Sequence, residues 1–282
     1  MKIILSRKGF DSGSGGCPSP IFPDGSLMSL PIPDMQSQIA YGEIAGNHWL
    51  SMAEAVSQLA GYPPTHRAHL DPDLAPGSLP RQVGWRPIFG QTDAAEGHLR
   101  RQGVGEGDIF LFFGLFRPVE QTSSGWRFVR GSKPIHILFG WLQVSDRVPV
   151  SAWPASEGWA LYHPHFSREP KPSNVIYTSS ERLVLPAGKT TTFAGAGTFP
   201  QLSPKLRLTA LESDRPGRWL LPEWFCPDDR GSCLSYHGDR SRWEKVNGGV
   251  LLSTVSRGQE FVLDCAKFQE AVGWMEQMLN ST

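Results

Sequence analysis

The sequence predicts an α+β protein with a strongly curved, mainly antiparallel β core flanked by about three helices. Three observations lead there. Gly (30) and Pro (24) are abundant while only 19% of residues are charged, which favours short strands joined by turns over long helices. Two near-continuous apolar runs, Asp108 to Phe116 and Ile135 to Val144, read as central strands covered on both faces. Three stretches carry apolar residues at helical spacing.

In chain order, Lys2 to Ser6 reads as a strand that empties into a glycine-rich loop, Arg7 to Gly16. From Asn47 to Ala60, the residues Trp49, Met52, Val56 and Leu59 form one apolar face, closed by Gly61, Pro63 and Pro64; this predicts the first helix. Asp93 and Glu96 open a second helix that runs to Gln102 and carries His98. After the two central strands, short strands are expected at 126–129, 174–178, 182–185, 205–209, 250–254 and 260–263. The chain closes with a helix presenting Cys265, Phe268, Val272, Met275 and Leu279, with Asp264 as its expected N-cap. The whole of 1–282 reads as a single domain, the Pro-rich stretch 148–172 being the one candidate boundary.

Lys and Arg total 27 and so do Asp and Glu, so no global field draws the protein onto nucleic acid or anionic lipid. The cysteines Cys17, Cys226, Cys233 and Cys265 form no C-x-x-C pair, which argues against structural zinc on thiols. No apolar window approaches the ~20 residues of a membrane span or the pattern of a secretory leader, so a reduced, cytoplasmic protein is expected.

Several constellations offer chemistry. The loop after the first strand holds Lys8, Asp11, Ser12, Gly13 and Gly15; its backbone amides and side chains suit a phosphate or another polar ligand, although it fits neither the P-loop nor the dinucleotide pattern. His69 and Asp71 stand two apart, so an extended segment points both to one face, in the spacing of two ligands of a non-haem iron site. His163, His165 and His237 are the candidate third ligands, and iron or zinc would accept the set. His136 lies inside an apolar strand and reads as a satisfied core histidine. No G-x-S-x-G elbow supports a serine hydrolase.

The ordered set of Lys2-Ile-Ile-Leu-Ser-Arg-Lys-Gly-Phe-Asp11-Ser-Gly-Ser-Gly-Gly16, His69-Leu-Asp71-Pro-Asp73, Phe89-Gly-Gln91 with His98-Leu99, Gly107 to Gly114 and His136 to Gln143 resembles the third of the bacterial and phage families called nucleotide modification associated domains. The resemblance covers residues 2 to about 250. It implies a pathway that modifies nucleotides or DNA bases and leaves the chemical step open. The matching polar positions are Asp11, His69, Asp71, Asp73, Gln91, His98 and His136.

The resulting expectation is an enzyme acting on a nucleotide, a nucleobase in DNA or a related metabolite. Asp11, Asp73 and His98 would serve as catalytic groups, Lys8, Ser12, Gly13, Gly15 and Gln91 would bind substrate, and His69 and Asp71 would hold a divalent metal. Two rivals differ in class. One is a module that reads a modified base between rings such as Trp85, Trp141 and Phe116 without turning it over. The other is a non-haem iron oxygenase outside nucleic-acid chemistry.

The balanced charge yields a first prediction. Gel-shift titration should show weak binding to generic duplex DNA that collapses as salt rises, whereas tight binding surviving moderate salt would reveal a dedicated basic groove.

Overall fold

The computed structural model describes residues 1–255 and 260–280. Nine strands form the main sheet: β1 (Lys2–Arg7), β2 (Ser19–Ile21), β3 (Ile88–Gln91), β4 (Ile109–Thr122), β5 (Gly125–Phe128), β6 (Ile135–Pro149), β7 (Val175–Ser179), β8 (Ala196–Thr198) and β9 (Glu260–Asp264). The sheet order is β9-β1-β4-β6-β7-β3; β2 and β5 also pair with β4, and β8 with β6. Only β1 and β2 run parallel to β4; every other pairing is antiparallel. The sheet is not closed, and with three helices it forms the expected α+β fold.

The two apolar runs of the sequence become β4 and β6, which are paired from Ile109↔Gln143 to Phe116↔Ile135. Their pairing register shifts at Phe112/Phe113, and that of β6 with β7 shifts at Val144/Asp146. A bulge adds twist and bends a long strand, so these shifts favour curvature there. Phe89, Phe110, Phe112 and Tyr177 interlock as edge-on and stacked rings on one side. That cluster ties β3 and β7, which border the site, to the centre of the sheet.

Smaller ladders complete the fold. Arg182–Leu185 pairs with Lys189–Ala194, and Gly249–Ser253 lies between Arg218–Leu221 and Trp243–Val246. Ile32–Pro33 pairs with Ala68–His69, placing His69 opposite Ile32 and next to the segment that holds Asp34. The stretch 150–174 joins two strands of the same sheet, β6 and β7, through three short 3-10 turns.

Three sequence expectations need correction. The first helix, α1 (Met52–Ala60), begins five residues late because the Asn47 side chain accepts the amides of Trp49 and Leu50 and holds a turn there. Ser51 and Glu54 then form a reciprocal cap, and Gly61 ends the helix at φ 76°, a conformation that costs glycine least. The last helix, α3 (Glu270–Leu279), is not capped by Asp264, which is still paired with Lys2 in the sheet; Cys265 and Phe268 pack from the intervening turn. The expected strand at 205–209 is instead a 3-10 turn, Pro204–Leu206, followed by single bridges at Arg207 and Thr209. Pro204 has no amide to donate to a ladder. The second helix, α2 (Asp93–Arg101), forms where expected. Among the described residues no helix is long and apolar enough to cross a membrane.

His136 sits in β6 with its ring edge-on to Phe113 and its Nδ1 accepting the Trp219 indole N–H at 3.0 Å. Burial, aided by the charge of Arg7, pushes its imidazole down to about 3. The unfolded chain therefore takes up a proton below about pH 6.5 that the folded chain refuses until about pH 3. This group alone should remove roughly 1.4 kcal/mol of stability per pH unit across that window as the pH falls. Urea unfolding at pH 6 and pH 4 should show a shallower loss for His136→Gln than for the wild type; equal slopes would mean that the ring is protonated in the fold.

Candidate metal centre

Asp71 is the meeting point of three segments. It follows the His69 ladder, and its Oδ1 accepts the Gly90 amide of β3 at 2.8 Å and lies 3.2 Å from His163 Nε2. That leaves Oδ2 for two imidazoles, His69 Nε2 at 3.7 Å and His165 Nε2 at 3.8 Å. The ligand atoms of His69, Asp71 and His165 all lie within 4.8 Å of one another, an arrangement that could hold a metal ion. The two shorter separations are close to the ~3.4 Å between donor atoms around a tetrahedral ion with bonds of about 2.1 Å.

Both rings are fixed from behind. His69 Nδ1 lies 2.7 Å from Asp34 Oδ2, which is also bound by Arg168 Nη2 at 3.1 Å. His165 Nδ1 lies 2.6 Å from Asn174 Oδ1. An acceptor at each Nδ1 places the proton there and leaves each Nε2 lone pair facing Asp71 Oδ2, as outer partners do around metal-bound histidines. Gly90 is needed for closeness, since a Cβ at that position would land on the His165 ring.

His163 and His165 flank Pro164 at a 3-10 turn, and the turn divides their work. His163 caps it, its Nδ1 accepting the His165 amide at 3.5 Å, so its Nε2–H donates to Asp71. His165 faces the cluster.

The electrostatics favour positive charge between the rings. Burial would raise the Asp71 carboxyl, but the hydrogen bond from His163 and the adjacent imidazoles hold it well below the usual carboxylate range. Burial would lower His69, yet Asp34 and Asp71 raise it. The hydrogen bond from His69 holds Asp34 low against its own burial. Burial pushes His165 down to about 3 despite Asp71, which leaves it neutral and able to ligate. A proton and a cation therefore compete for the same spot.

The cluster opens into a cavity of about 150 Å3 whose walls include Arg7, Lys8, Asp11, Gln91, Thr92 and Arg168. Of the expected site residues, the structure thus brings together His69, Asp71, Lys8, Asp11 and Gln91, with His165 as the third potential ligand. Asp11 Oδ1 accepts the amides of Gly13 and Ser14, both at 2.7 Å, while Oδ2 pairs with Arg7 at 2.7 Å. The amides of Asp11, Gly13, Ser14 and Gly16 are thus consumed within the loop. Ser12, Gly13 and Gly15 shape the loop without lining the cavity, and Gly15 packs on the Phe10 ring.

The remaining candidates lie elsewhere. His98 stacks on Tyr236 and meets Ser235 Oγ at 3.0 Å, and burial lowers its imidazole. His237 packs edge-on to Phe261, and its ring nitrogens meet Ser235 O and the Val255 amide. Trp85 lies under Arg81, Trp141 is buried with its indole N–H on Ala194 O, and Phe116 is fully buried, so these rings do not share a pocket.

Asp73 is buried in a separate network. It accepts from Arg81 Nη1 and Nη2, each at 2.7 Å, from Ser78 Oγ at 2.9 Å and from Tyr162 O–H at 2.6 Å. It therefore pins the segment carrying Asp71 to the one carrying His163 and His165. Sequence reasoning missed Asp34, Arg168, Asn174 and Glu260; none stands in a motif with its partner.

Removing one member of a buried ion pair strands the other, at a cost of about 3–5 kcal/mol. With Asp73 and the Arg81 side chain 1% and 14% exposed, Asp73→Asn should lower stability by about 3 kcal/mol in chemical denaturation. A loss below about 1 kcal/mol would mean that solvent compensates Arg81.

No curated protein and no solved structure matches the chain. The family described as nucleotide modification associated domain 3 matches residues 2–264, which include the whole cluster, its outer partners and the cavity wall. The chain belongs to the nucleotide modification associated domain 3 family.

Proposed function

We propose that the protein is a metal-dependent enzyme that modifies a nucleotide, a nucleobase in DNA or a related small metabolite, with iron(II) or zinc held by His69, Asp71 and His165. The observation that carries this reading is the convergence of three buried donor atoms, each with its other polar atom already occupied: by Asp34, by Gly90 and His163, and by Asn174. Unpaired acceptors in a buried cluster are costly, and a divalent cation would satisfy all three at once. Two imidazoles and one carboxylate suit iron(II) with open positions for reactants, and zinc accepts the same donors. Family membership supports the substrate class.

In this reading the metal polarises or activates a reactant, while the chain's own groups orient the substrate. Gln91 and Lys8 contact substrate from the cavity wall; Asp11 holds the loop and Arg7 in place. Asp73 acts as a positioning residue, keeping the ligand-bearing segments together. His98 lies outside the cavity lining, so this reading gives it no role. Four free thiols fit the reducing cytoplasm expected from sequence.

Elemental analysis of freshly purified protein should find about one divalent metal per chain in the wild type and in His237→Ala. It should find almost none in His69→Ala, Asp71→Ala or His165→Ala. Asp34→Asn and Asn174→Ala should weaken metal affinity by roughly 10–100-fold. Equal metal content in all variants would overturn the assignment.

A further inference from the structure

The cavity beside the cluster carries more cations than carboxylates on its walls. Its walls include three, Arg7, Lys8 and Arg168, against two carboxylates, Asp11 and Asp71. Arg7 is engaged by Asp11 at 2.7 Å. The other two are less fully matched. Arg168 spends Nη2 on Asp34, yet its Nε is buried without a hydrogen-bond partner. A buried guanidinium N–H left unpaired costs free energy, and its natural partner is an oxyanion taken in two-pronged fashion. Lys8 Nζ lies 3.3 Å from Glu260 Oε1, which also accepts from Ser6 Oγ at 3.1 Å and Gln91 Nε2 at 2.6 Å. One oxygen thus serves three donors. Burial raises the Glu260 carboxyl, against the lowering effect of Lys8, Ser6 and Gln91.

We propose that Arg168 and Lys8 form an oxyanion-binding site in this cavity, taking a terminal phosphate or carboxylate of the ligand that reaches the His69, Asp71 and His165 cluster. The amides of Gly13 and Ser14 are not open to that anion, because Asp11 occupies them. Arg168 is the specificity-determining group: its fork fits two oxygens of either anion, whereas Lys8 supplies a point charge. Gln91, held by Glu260, lies on the same wall and orients the neutral part of the ligand. The inference rests on the metal-dependent reading only for what the far end of the ligand meets.

Calorimetric titration of zinc-loaded and metal-free protein tests it, with inorganic phosphate and thymidine 5′-monophosphate in one arm and succinate in the other. Zinc-loaded wild type should bind one class, and the binding arm identifies the source of the oxyanion. Arg168→Gln should weaken that binding roughly tenfold or more at unchanged zinc content. Arg168 also touches Asp34; if the variant loses zinc, Lys8→Gln decides, because Lys8 contacts neither Asp34 nor the imidazoles. Retained zinc with no binding of any of these anions overturns this inference and leaves the metal reading standing. Anion binding by a chain that takes up neither zinc nor iron(II) supports this inference and overturns the other. Wild-type affinity in both variants overturns it as well.

Discussion

The hydrogen bonding of one carboxylate organises this end of the molecule. Asp71 is buried, and a buried charge is tolerated only where its lone pairs are met. The Gly90 amide and His163 meet Oδ1, and two imidazoles face Oδ2. These four partners come from three segments: β3, the turn at Pro164, and the short ladder that ends at His69. Satisfying Asp71 therefore requires these segments to meet in one arrangement. The aromatic cluster of Phe89, Phe110, Phe112 and Tyr177 supplies apolar burial for β3 and β7, but it carries no directional information that would place an imidazole to within a few tenths of an ångström.

Around that carboxylate, two further buried networks act as struts. Asp73, two residues on, locks Arg81 and Tyr162, and Tyr162 precedes His163 directly in the chain. Glu260 of β9 binds Ser6 and Lys8, so the far edge of the sheet is tied to the segment that enters the loop. Breaking either strut strands a charge, so the cost falls on the geometry of the site as well as on stability. The polar interior is thus a scaffold for precision that the hydrophobic core could not provide alone.

What the sequence revealed follows from the range of each interaction. Strand and helix periodicity is local, and β4, β6, α2 and the register of His69 with Asp71 were all legible for that reason. Helix starts were less so: Asn47 and Asp264 are good capping residues by type, yet one holds a turn and the other stays in the sheet because of Lys2, 262 positions away. The third potential ligand remained one of three because His163, His165 and His237 look equivalent until folding places them. The pattern His-Pro-His suggested two equal donors, and only the 3-10 turn separates a capping ring from one facing Asp71. Asp34, Asn174 and Arg168 were invisible, being ordinary loop residues whose partners are distant in sequence or outside any motif. Asp11 was read as chemistry because it stands in a glycine-rich loop, but such a loop needs an internal acceptor for its own amides, and Asp11 is that acceptor.

The arrangement of charge gives the site a direction. At one end, Asp34 and Asp71 set carboxylates beside the His69 and His165 imidazoles; along the same cavity stand the cations Arg168 and Lys8. The salt link between Arg168 and Asp34 joins the two ends, because Asp34 also orients His69. On the proposed reading, a ligand oxyanion that drew the Arg168 guanidinium toward itself would weaken that link and leave more of the Asp34 charge to His69, raising the basicity of the imidazole toward a metal. Anion binding and electron donation to a metal would then be coupled through a single arginine. The two halves of the cavity would gain from being filled together, which would favour one molecule bearing both an acidic group and a reactive end over two separate ligands.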